Sequence, residues 1–188
     1  MPAPTSPRQP RRPQGRSGPR GSQRSLQKPS ERAKHAEPAR FAAYTLLRAV
    51  EGGAYANLEF PAILRRHHLD SRDAAFATEL AFGTLRMQGF YDAVIQRAAG
   101  RPLDKIDAGV LDVLRLGAHQ LLGMRVPAHA AADQTVGLAR TVSGAGASGF
   151  VNAVMRRVSE RTREEWVAEV VPEDGSTAAL ATEYSHPE

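Results

Sequence analysis

Residues 38–172 predict an all-α fold, a compact bundle of about seven or eight helices. Three observations carry this reading. Apolar residues recur at intervals of three and four from Pro38 onward, with almost no period-two alternation. Glycine, proline and short polar residues fall where such helices would start and stop. Cysteine is absent, so the core has to come from packed apolar faces and not from disulfides.

The first helix places Ala43, Leu46, Leu47 and Val50 on one face and Arg40, Tyr44, Arg48 and Glu51 on the other. Gly52-Gly53 ends it, as expected where the chain leaves a helix through positive φ. A second, short helix holds Leu58, Ile63 and Leu64, with Asn57 as its candidate cap. Pro61 is tolerable there only near the start. Asp70 or Ser71 caps a third, whose Phe76, Leu80, Gly83 and Met87 fall at i, i+4, i+7 and i+11. A break at Gly89 separates it from the stretch Tyr91 to Ala99.

The most regular segment follows Pro102. Ile106, Val110, Val113, Leu114, Gly117 and Leu121 make a broad apolar stripe, with Asp107, Asp112, Arg115 and His119 largely off its centre. Gly109 and Gly117 each cost about 1 kcal/mol relative to Ala inside a helix, so close helix approach is the expected compensation. Asp104 and Asp107 read as first-turn and cap residues. Pro127 opens a further helix running to about Thr141. The glycine-rich stretch Gly144 to Gly149 reads as a flexible connection, followed by a helix with Phe150, Val151, Val154 and Val158 inward. Trp166, Val167, Val170 and Val171 complete a last short helix before Pro172.

Charge is segregated along the 188 residues, whose formal net charge is +5. Residues 1–30 hold seven basic side chains and no acid, whereas residues 164–188 hold seven acids and neither Lys nor Arg. Seven prolines lie among the first 37 residues, with Gly, Ser and Gln between the arginines. Such a segment cannot bury enough apolar surface to offset its chain entropy, so residues 1–37 read as a disordered basic arm. The arm either attaches electrostatically to a polyanion or is a low-complexity extension. Arginine outnumbers lysine 22 to 3, a bias that genome composition alone could produce. Residues 38–172 form the helical domain, and residues 173–188 read as a linker. No apolar run is long enough for a transmembrane helix, and the first 30 residues lack a signal-peptide core. A cytoplasmic protein with no membrane partner is the expectation.

Several chemistries find no support. Gly144-Ala145-Gly146-Ala147-Ser148-Gly149 matches the G-x-G-x-x-G string, yet a helix precedes it where a nucleotide-binding loop needs a strand. His35, His67, His68, His119, His129 and His186 show no metal-ligand spacing, and surface or helix-end positions suit them better. No catalytic set of carboxylates or of Ser, His and Asp stands out. The basic residues remain. Arg40, Arg48, Arg86, Arg115, Arg125, Arg156 and Arg157 fall at helix ends or on polar faces, where guanidinium forks can hold phosphate. The alternative is that each is an ordinary solvated or ion-paired side chain, and the domain a protein-interaction module.

An ordered series of segments narrows the choice. These are Ala39-Arg40-Phe41-Ala42-Ala43 with Leu47 and Val50, Phe82-Gly83-Thr84-Leu85-Arg86, and the run from Asp112 to Leu122. Arg125-Val126-Pro127-Ala128-His129-Ala130-Ala131, Thr135-Val136 with Leu138-Ala139-Arg140, and Gly149 to Val158 follow. Together they resemble the NusB-like RNA-binding domain, in the version found at the N-terminus of RsmB-type (Sun, Fmu) rRNA cytosine-5 methyltransferases. Tyr184-Ser185-His186-Pro187 is similar to the segment that leads into the catalytic half of such enzymes.

The resemblance implies a NusB-like bundle that positions small-subunit rRNA for methylation at cytosine C5. S-adenosylmethionine would be the cofactor of a catalytic domain absent from this chain. The family's chemistry needs a cysteine thiolate, so this polypeptide alone is expected to be inactive and to read as a truncated N-terminal piece. Arg40, Arg86, Arg125, Arg156 and Arg157 are the candidate RNA contacts, with Arg8, Arg11, Arg12, Arg16 and Arg20 of the arm. The alternative is a stand-alone NusB-type antitermination factor, with boxA-like RNA and a ribosomal protein as partners. No metal is expected in either case.

Overall fold

A computed structural model describes residues 37–170. The expected arm before residue 37 and the linker from Glu173 onward lie outside the described residues. Within them the chain forms eight α-helices and one 3-10 turn, with no strand. The helices are α1 (Pro38–Glu51), α2 (Ala56–Arg66), α3 (Ser71–Arg86), α4 (Gln88–Ala99), α5 (Ala108–Leu122), α6 (Ala128–Ser143), α7 (Ala145–Ser159) and α8 (Arg163–Val170). The 3-10 turn Leu103–Lys105 leads into α5. The all-α bundle expected from periodicity is the fold observed.

Helix α5 is the axis of the bundle. It packs against α1, α3, α4, α6 and α7, and every residue from Val110 to Gln120 is buried. Enclosure explains why Asp112, Arg115 and His119 are internal although they sit off the apolar stripe. A helix with neighbours on most sides has no solvent face on which to put them. Asp107 begins α5 by accepting a 3.0 Å hydrogen bond from the Val110 amide, the cap role read from sequence. Asp70 does the same for α3, accepting from the Asp73 amide at 2.8 Å.

Three boundaries differ from the sequence reading. Helix α2 starts after Tyr55, which offers no side-chain cap, so Asn57 lies inside its first turn. Pro61 is consequently within α2, where it cannot donate to the Asn57 carbonyl; both residues are exposed. Helices α3 and α4 meet at Met87 and not at Gly89. The expected flexible connection at 144–149 is helical. Gly144, at φ 79°, ends α6 and starts α7 in one residue, and the alanines after it continue as helix.

The close approach expected of Gly117 is present. A Cβ there would lie 2.5 Å from Met155 Sδ and 2.8 Å from both Thr135 Cγ2 and Oγ1. Met155 can swing aside, but Thr135 is β-branched and its hydroxyl is bonded to the Ala131 carbonyl at 2.6 Å. Gly117→Ala is therefore expected to destabilise the domain by about 1–3 kcal/mol through overpacking, despite its better helix propensity. Urea unfolding of the variant checks this, and unchanged or raised stability would contradict the packing argument.

Candidate nucleic-acid interface

The candidate arginines separate into an internal and an external set. Arg40 is internal, at 8% exposure. Its Nε donates to Gln120 Oε1 at 2.7 Å, its guanidinium pairs with Glu37, and it stacks 4.7 Å from the Phe76 ring centre. Burial lowers its pKa below the usual arginine value. The structure thus places Arg40 between α1, α3 and α5, where it joins helices instead of facing solvent. The helical wheel put it on a polar face because a wheel cannot show that α5 offers a glutamine partner opposite.

Arg48 and Arg115 are likewise committed. Arg115 grips Asp92 through Nε and Nη2 at 2.6 and 2.7 Å and Asp112 through Nη1 at 2.9 Å. Arg48 reaches the second Asp112 oxygen at 2.9 Å. Burial opposes the charge on Arg115, but its bonds to Asp92 and Asp112 outweigh that and raise its pKa. The hydrogen bond to Asp112 raises that of Arg48. These four side chains tie α1, α4 and α5 together.

Arg86, Arg125, Arg156 and Arg157 are exposed. Arg86 ends α3. Arg156 keeps 82% of its side chain in solvent, with Glu160 only 3.8 Å away. Arg157 also has a structural bond, donating to the Ala98 carbonyl at the end of α4 at 2.8 Å. Arg8, Arg11, Arg12, Arg16 and Arg20 lie outside the described residues.

Arg125 sits on the rim of a groove of about 400 Å³ that also contains Arg161 and Arg163, which sequence reasoning missed. The groove is formed where the connection 123–127 faces the start of α8, with Ala128 of α6 and Ser159 of α7 on its sides. Both walls are fixed. Val126 N donates to the Gln120 carbonyl at 2.8 Å and Met124 N to that of His119 at 2.9 Å. Thr162 and Glu165 form a reciprocal capping box at the start of α8, with bonds of 2.7 and 3.2 Å. Trp166, buried at 3% exposure, donates from Nε1 to the Val158 carbonyl at 2.9 Å and so holds α8 against α7. The capping box was readable as T-x-x-E before Trp166, but nothing in the sequence said that α8 would fold back beside residue 125.

Residues 37–170 hold nearly balanced charge, with 16 basic and 15 acidic side chains. An attraction for polyanions therefore has to come from local clusters in this part, or from the arm. No group of three or more His, Asp or Glu side chains suited to a metal occurs among the described residues. His129 is exposed near the start of α6, and His119 lies in the last turn of α5, a helix-end position as expected but not a surface one. It is buried between α3 and α5, with Nδ1 2.7 Å from the Tyr91 hydroxyl. No helix among the described residues is long and apolar enough to cross a membrane.

Comparison with known proteins agrees with this architecture. The chain is 48% identical over 143 residues to the Mycobacterium tuberculosis protein named "Putative methyltransferase Rv1407", covering 76% of this chain and 31% of that protein. It is 38% identical over 131 residues to ribosomal RNA small subunit methyltransferase B of Pseudomonas putida, covering 70% of this chain and 29% of the enzyme. The chain thus spans about three tenths of the length of the curated relatives it matches. A chain in the crystal structure of a plectonemic RNA supercoil shares the fold, with a TM-score of 0.61 at 20% identity, covering 65% of this chain and 92% of that one. The sequence profile of the NusB family matches residues 37–160, nearly the whole of the helical bundle just described. On that match the chain belongs to the NusB family.

Proposed function

We infer that this chain is the RNA-binding, NusB-like part of a 16S-type rRNA cytosine-C5 methyltransferase. The observation that carries the reading is the pattern of overlap. A NusB-family domain fills most of this chain, while the relative named ribosomal RNA small subunit methyltransferase B is matched over only 29% of its length. The overlap supports a larger catalytic part beside this domain. A stand-alone antitermination role has less support, because the relatives carry methyltransferase names.

In this reading residues 1–37 are a basic arm, residues 38–172 the RNA-binding domain and residues 173–188 a linker, all acting in the cytoplasm. The chain has no cysteine. The thiolate that adds to the base, and the S-adenosylmethionine site, would therefore belong to the catalytic part. Arg86, Arg125, Arg156 and Arg157, helped by Arg8, Arg11, Arg12, Arg16 and Arg20, would contact phosphates and position the RNA without reading its sequence. Arg40, being buried, is left to packing.

A gel-shift titration at low salt with small-subunit rRNA fragments tests the function. Retardation is expected, weakened when residues 1–37 are removed. Arg156→Ala is expected to lower affinity several-fold and to flatten the salt dependence by about 0.7 in the log–log slope, the share of one phosphate contact. Arg157→Ala adds a loss of about 1 kcal/mol in stability, because it also breaks the bond to the Ala98 carbonyl. An unshifted RNA at low salt would remove the reading.

A further inference from the structure

We propose that the groove between the 123–127 connection and the start of α8 is a phosphate subsite for the RNA backbone, held by Arg125, Arg161 and Arg163. The proposal rests on the RNA-binding reading and adds a place and residues to it. Three guanidinium groups line one concavity with one carboxylate, Glu164, in the lining; Glu169 pairs with Arg161 from outside it, which leaves a net local excess of one cation. That local excess stands out in a domain whose charges otherwise nearly cancel.

The cations are held in place in different ways. Arg161 stacks 4.9 Å from the Trp166 ring centre and pairs with Glu169, so its fork has a fixed orientation before any ligand arrives. Arg125 has no hydrogen bond or ion pair with any described residue, yet its backbone is fixed by the bonds of its neighbours. It occupies the left-handed region at φ 57°, a conformation that glycine adopts without strain. The chain accepts that strain and thereby carries an unpaired cation to the rim. Ala128, the first residue of α6, also lines the groove, and α6 has no capping side chain to take up its first amides.

The lining suits a phosphodiester better than a base. It contains no aromatic side chain on which a base could stack, and Trp166 lies buried beneath Arg161. Arginine forks and threonine and serine hydroxyls match phosphate and ribose oxygens. A volume of about 400 Å³ holds a phosphate with its sugar.

The test compares three full-length chains by fluorescence titration against two RNAs, a structured small-subunit rRNA fragment and an unrelated hairpin of equal length. The chains are wild type, Arg125→Gly/Arg163→Ala, and the control Arg72→Ala/Arg140→Ala, which removes two exposed arginines outside the groove. The groove variant is expected to bind both RNAs about 10-fold more weakly, with a log–log salt slope reduced by about 1.4, while the control changes less than about 2-fold. Its melting temperature is expected to be no lower, because Arg125→Gly relieves the left-handed backbone. Equal losses in groove variant and control overturn the subsite but leave RNA binding standing. A loss confined to the rRNA fragment overturns the backbone assignment. Absence of binding by wild type to both RNAs overturns the functional reading and the subsite together.

Discussion

Arg115→Ala is expected to remove about 3–5 kcal/mol of stability, the usual consequence of breaking a buried ion pair from one side. Arg115 and Asp112 are 8% and 1% exposed at the middle of α5. Without the guanidinium, Asp112 keeps only Arg48, and Asp92 loses both of its hydrogen bonds. A domain of this size has roughly 5–15 kcal/mol in total, so a loss of this order leaves a large unfolded fraction at physiological temperature. Urea unfolding at neutral pH measures it. A loss below about 1 kcal/mol would mean that water or a neighbour replaces the missing charge at little cost, and the network would not be the link between α1, α4 and α5 inferred above.

The sign of that result distinguishes charge balance from mere contact area. Arg115→Met/Asp112→Leu removes the two most buried charges and fills the space with apolar atoms, and the partners it leaves, Asp92 and Arg48, keep 20% and 36% of their side chains in solvent. Replacing a buried pair in this way is often neutral or stabilising, whereas removing one partner strands the other. The double variant is therefore expected to be more stable than Arg115→Met alone, a coupling that the cycle through Arg115→Met and Asp112→Leu reads directly. If the double variant is the worse of the two, the lost hydrogen-bond geometry matters more than the stranded charge.

The same network shows how far the sequence alone could reach. Helix α1 and the apolar stripe of α5 followed from spacing, and the caps Asp70 and Asp107 from residue type, because these are local effects. Asp112, Arg115 and His119 fall off the centre of the apolar stripe, and periodicity, which supposes one buried face and one wet face, gives no sign that they are buried. Helix α5 violates that supposition by being surrounded, and only tertiary packing reveals it. Arg40 misled for the same reason. The 144–149 stretch misled differently. Its glycines suggested flexibility, yet a single left-handed residue at Gly144 suffices for the reversal, and the helix tolerates the rest. Of the candidate interface, Arg86, Arg125, Arg156 and Arg157 are exposed as the sequence suggested. Arg161 and Arg163 join Arg125 only because α8 folds back, a long-range contact with no local signature.

Lowering the pH from about 6.5 to 4 is expected to cost the domain roughly 3 kcal/mol through His119 alone, at 1.36 kcal/mol per unit of pKa difference. Burial pushes the His119 pKa down from 6.5 to about 4. Arg86 and Arg163 add to the shift, while Glu79, with Oε1 4.0 Å from Nε2, opposes it. The imidazole is confined as well as desolvated: a Cβ at Gly83 would lie 2.2 Å from Nε2, and one at Gly123 would lie 2.4 Å from Nδ1. Tyr91, whose own pKa burial raises to about 12, holds Nδ1 but cannot neutralise a cation, and Nε2 has no hydrogen-bond partner among the described residues. In the unfolded chain the histidine takes up a proton near pH 6.5, and in the folded chain only near 4. Between those values the unfolded state binds more protons, so stability is complete above 6.5 and declines as the pH falls. Urea midpoints measured from pH 7 to pH 4 are expected to fall steadily for the wild type. His119→Gln is expected to start lower at pH 7, having lost the Tyr91 contact, and to show a clearly shallower decline. The half-buried His67, whose pKa burial also lowers, contributes in both chains and cancels from the comparison. Parallel pH profiles for the two proteins would show that His119 is not the group whose protonation the fold resists.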